Sequence, residues 1–87
     1  MYNMEDISPM ELQGYVNKAL DDNFEAEKQQ IRKGLRQLAK GGATGGYVHF
    51  SELTEPKRIM EWLCSLGFTV VEYLTKCRVS WEDNKNG

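Results

Sequence analysis

The last third of the chain constrains its fold most. Tyr47-Val48-His49-Phe50-Ser51 alternates as a strand, a helical pattern covers residues 54–66, and Gly67 stands directly before Phe68-Thr69-Val70-Val71. A glycine between an apolar helix and a β-branched run supplies the left-handed residue that stops the helix and reverses the chain. Lys76 to Trp81 then alternates again, after a tight turn at Leu74-Thr75. The segment therefore reads strand, helix, strand, strand.

The faces follow from the periods. In the helix, Ile59, Trp62, Leu63 and Leu66 fall on one apolar side, with Thr54 expected as its cap and Pro56 in its first turn. In the first strand, Val48 and Phe50 oppose Tyr47 and His49. In the last, Cys77, Val79 and Trp81 oppose Lys76, Arg78 and Ser80. The strand over residues 68–73 is apolar on both faces at Val70 and Val71.

Upstream, Ser8-Pro9-Met10-Glu11 is a helix start with a cap, a proline at the first helical position and a capping-box glutamate. The helical pattern runs to Lys40, where Gly41-Gly42 ends it. Its first apolar face (Leu12, Tyr15, Val16, Ala19) is rotated by roughly a quarter turn from its second (Phe24, Ile31, Leu35, Leu38). Asp22-Asn23-Phe24-Glu25 offers a second capping box between them. Two helices are expected, or one helix bent near residues 21–23; the alternative is a single long helix used for dimerisation.

The expected fold is α+β: the N-terminal helices, then β-α-β-β with a small three-stranded sheet covered by helices on one face. If the first two strands are parallel, the helix over residues 54–66 is their crossover. At 87 residues the chain is expected to form one domain over 1–87, with loose ends at 1–7 and 82–87. A sheet this small has exposed edges, which points to a homo-oligomer.

A formal net charge of −2 argues against nucleic acid as the partner. Met1-Tyr2-Asn3-Met4-Glu5-Asp6 lacks the basic and apolar regions of a signal peptide, and no apolar run approaches a membrane span. The expected location is the cytoplasm, without membrane contact. Cys64 and Cys77 are then expected to be reduced and largely packed. His49 is the only histidine, so no metal site or cofactor is expected.

Two candidate surfaces emerge. Tyr47, His49, Tyr73 and Arg78 would lie on an uncovered sheet face, suited to protein contact or, if Trp81 joined the tyrosines, to base stacking. Arg36 and Lys40, with Gly42, Thr44 and Gly45 of the loop 41–46, would form an anion site for a nucleotide-like ligand. That loop ends a helix and opens a strand, the reverse of the phosphate-loop order. His49 has no evident nucleophile with an orienting carboxylate beside it, and Ser51-Glu52 and Ser80 lack any triad context, so the chain is expected not to be an enzyme.

The pattern Ile59-x-x-x-Leu63-x-x-x-Gly67-Phe68-x-Val70, followed by Cys77-x-Val79-Ser80-Trp81, resembles small accessory proteins of tailed bacteriophages. The resemblance covers residues 26–81, and the loop 41–46 departs from that pattern's single glycine. It implies a counter-defence or host-takeover protein in the host cytoplasm, which binds and inhibits a host or phage protein. The alternative is a binder that sequesters a nucleotide immune signal. No catalytic residue carries over.

Overall fold

The computed structural model describes residues 7–81. The loose ends expected at 1–7 and 82–87 fall, Ile7 apart, outside them. The elements are α1 (Pro9–Lys40), β1 (Gly45–His49), a 3-10 turn (Phe50–Glu52), α2 (Pro56–Ser65), β2 (Thr69–Glu72) and β3 (Lys76–Ser80). The α+β class holds, and of the arrangements open to the N-terminal region the one found is the single long helix, 32 residues, rather than the favoured pair.

The expected break fails because its carboxylates are used elsewhere. Asp22 pairs with Lys18 one turn back, Glu25 with Lys28, and Asp21 reaches Arg58 of α2. None of them caps a backbone amide, and no glycine or proline interrupts the helix there. The true start is as expected: the Glu11 N–H donates to Ser8 Oγ at 3.1 Å, with proline opening the helix.

Both helices stop by the same device. Gly42 (φ 94°) and Gly67 (φ 99°) take the left-handed conformation. At α1, Gly42 N–H donates to Ala39 O and Ala43 N–H to Leu38 O. At α2, Gly67 N–H donates to Cys64 O and Phe68 N–H to Leu63 O. The start of α2 departs from expectation, since Thr54 does not cap it. Its N–H and hydroxyl both donate to Glu27 Oε2, at 3.0 and 2.8 Å, which ties the entry of α2 to the middle of α1.

The sheet order is β1-β3-β2, and β3 is antiparallel to both neighbours. β1 and β2 thus run parallel to each other, with β3 inserted between them. Ile31 of α1, Ile59 and Leu63 of α2, and Cys77 and Val79 of β3 form the core. Both helices contribute to that one core on the Cys77/Val79 face, so the opposite sheet face has no helix over it. Leu66, expected on the apolar side of α2, is exposed at its cap.

α1 outruns this body. Phe24 is the first of its residues packed on the core, whereas Leu12, Tyr15 and Val16 are exposed. The molecule accordingly measures 68 × 23 × 23 Å.

Candidate functional site

The strand registers build the uncovered face row by row. Tyr47 of β1 is opposite Arg78 of β3, which is opposite Val71 of β2. His49 is opposite Lys76, and Tyr73 closes the hairpin by donating its N–H to Lys76 O at 2.8 Å. Alternation sends Val48, Cys77, Val79 and Val70 to the core and these residues outward. The four expected contact residues, Tyr47, His49, Tyr73 and Arg78, therefore share one face.

On it the tyrosine rings stand 6.4 Å apart at 52°, and Lys76 Nζ lies 4.6 Å from the Tyr47 centroid. Arg78 extends the cluster toward the start of β1, where its guanidinium lies over Gly45. A Cβ at Gly45 would meet Arg78 Nη2 at 2.8 Å. The glycine expected to cradle an anion thus makes room for an arginine.

Tyr47 is 53% exposed, Tyr73 46%, Val71 44% and the hairpin apex Leu74 95%, so the face joins apolar area to cationic heads. At the outward positions of the three strands there is no carboxylate. Val71, Leu74 and Lys76 are the members that sequence reasoning left out. The inward tilt of Val70 and the solvent exposure of Val71 become apparent only once β2 is known to be a sheet edge.

Trp81 does not join the tyrosines. It continues the Cys77/Val79 side, edge-on to Phe68 at 6.2 Å, and lines a small apolar groove with Leu35 and Ala39. Trp62 packs beside the core with Lys28 and Arg32 over its ring. Cys77 is buried, whereas Cys64, expected to be packed, is exposed at the end of α2. Burial, first of all, pushes the Cys77 thiol pKa up, with the Glu72 and Cys64 charges adding to it.

The anion-site residues are not assembled. The amides of Gly41, Gly42 and Ala43 are spent on the last carbonyls of α1, and Thr44 O accepts from the Trp81 N–H at 3.0 Å. Arg36 and Lys40 line a shallow depression on the outer side of α1 with Lys33 and Gln37, without loop residues. A helix C-terminus also carries the negative end of its dipole, which disfavours an anion.

His49 is exposed and, among the described residues, hydrogen-bonds no nucleophile or carboxylate. Among the described residues no three His, Cys, Asp or Glu side chains group to hold a metal ion, and no helix is long and apolar enough to cross a membrane. Comparison with protein-family models, with curated proteins and with solved structures finds no match.

Proposed function

We propose that the chain is a non-enzymatic interaction protein that binds and inhibits a protein partner through the uncovered face of its sheet. The observation that carries this reading is the exposed Tyr47–Tyr73 pair, flanked by Lys76, Arg78 and Val71 on a face that no helix covers. Tyrosine and arginine are the residues that dominate binding energy at protein interfaces, because each gives a large contact area with a polar tip. A face with cations and no carboxylates fits a partner surface that is acidic around an apolar centre.

The role in counter-defence or host takeover rests on the resemblance of the helix-stop and terminal-strand motifs to phage accessory proteins, and places the partner in the host cytoplasm. No observation favours the nucleotide-sequestering alternative over this one, since the amides of Gly41, Gly42 and Ala43 are already engaged and Arg36 and Lys40 face away from the loop residues.

The test is affinity capture from host extract with the wild-type protein and with Tyr73→Ala, both checked for folding by circular dichroism. The variant is expected to lose its captured protein, with affinity falling at least roughly tenfold. Unchanged capture removes this face from consideration. The same aromatic and basic face would also suit stacked bases, so single-stranded oligonucleotide is titrated in parallel. Tight oligonucleotide binding that displaces the captured protein would contradict the protein-binding reading.

A further inference from the structure

α1 carries a second surface, on the side opposite its core residues. Leu12, Ala19, Ala26, Lys33 and Lys40 recur every seven residues, interleaved with Tyr15, Asp22, Gln29 and Arg36 at the same spacing. All nine are exposed, and the seam they form is apolar at Leu12, Tyr15, Ala19 and Ala26 and polar or charged at Asp22, Gln29, Lys33, Arg36 and Lys40. The overhanging part before Asp21 has no core contact, and a helical stretch that short is marginal by itself in water.

The charges along α1 say what covers the seam. Residues 9–27 carry Glu11, Asp21, Asp22, Glu25 and Glu27 against Lys18 alone. Residues 28–40 carry Lys28, Arg32, Lys33, Arg36 and Lys40 and no carboxylate. We infer that the occupant is a second copy of this chain, whose α1 lies antiparallel along the seam with Asp22 of each copy opposite Lys33 of the other.

A parallel pairing would stack Lys33, Arg36 and Lys40 on themselves. The antiparallel one lays their aliphatic stems over Ala19 and Tyr15 and leaves their heads near carboxylates. Asp22 is the only carboxylate in the seam, and it now meets only Lys18 of its own helix, at 3.2 Å. Of the three seam cations, Lys33 gives Asp22 the longest helix overlap, residues 15–40 against residues 40–15. That register also brings the flanking Glu25 beside Arg32 of the second copy. The pairing uses the outer side of α1 and leaves the sheet face free, so it stands independently of the proposed partner binding.

The test is sedimentation of the full chain at low salt over a range of concentrations. The wild type is expected to form a dimer that weakens as salt rises. Asp22→Lys and Lys33→Glu are each expected to weaken it roughly tenfold or more, and the combined variant to recover it, since the swap restores both pairs. Helicity of every variant is followed by circular dichroism, with Asp22→Asn and Lys33→Gln as milder substitutions should a reversal fail to fold. A wild type that stays monomeric, a dimer indifferent to either reversal, or a combined variant that does not recover would each overturn the inference. So would loss of the dimer in Tyr47→Ala/Tyr73→Ala, which would move the contact to the sheet.

Discussion

Tyr47 and Tyr73 each present a ring to solvent that a monomeric sheet has no need to expose, and each gains a neighbour by standing near the other. Their positions were readable from the chain because a strand alternates with period two, which separates Tyr47 and His49 from Val48, and Arg78 from Cys77 and Val79. Alternation likewise assigned Trp81 to the Cys77/Val79 side, where it meets Phe68. Cys64 was misjudged, because periodicity says nothing of where an element ends, and Cys64 sits exposed at the end of α2. Cys77 carries a prediction of its own. Its thiol is held protonated by burial, so its folded pKa lies above its unfolded one. The stability it contributes is full below the ordinary thiol range, about 8.5, and is lost as pH rises through the raised value. Chemical denaturation from pH 7 to 10 is expected to show stability falling more steeply for the wild type than for Cys77→Ala. Parallel pH profiles would contradict this.

At the scale of elements, the helix stops were the most legible feature, because a left-handed residue admits few alternatives to glycine. Gly67→Ala is expected to cost about 1–2 kcal/mol, since alanine resists the φ of 99°. Gly14→Ala, in the open interior of α1 with nothing within 4 Å of the new Cβ, is expected to stabilise by about 0.5–1 kcal/mol. Urea denaturation of the two variants separates these signs, and equal effects would contradict the account of the stops. Local pattern left α1 open between a break and one long helix, and favoured the break. Asp22-Asn23-Phe24-Glu25 has the letters of a cap, and only the tertiary pairing of Asp21 with Arg58 and the Glu27–Thr54 bonds show those turns held as helix. Glu27→Ala removes both bonds at once and is expected to cost about 1–2 kcal/mol in the same assay. A variant as stable as wild type would mean that the tie between α1 and α2 contributes nothing.

For the whole molecule, two apolar faces on one helix need two partners. The sequence shows both stripes of α1, and their rotation reads naturally as a break when a lone domain is assumed. In the structure the helix continues, the second stripe closes the core, and the first is left outside with the seam. Strand order was likewise beyond local pattern, because placing β3 between β1 and β2 depends on long-range pairing. That order is what sets Tyr47 and Tyr73 on opposite sides of Lys76 and Arg78 and makes one continuous surface. The most direct test of that surface is hydroxyl-radical footprinting of the protein alone and in its captured complex, read by mass spectrometry at each tyrosine. Tyr47 and Tyr73 are expected to be labelled in the free protein and protected in the complex. Labelling of both that persists unchanged in the complex would contradict the claim that the uncovered sheet face is where the partner binds.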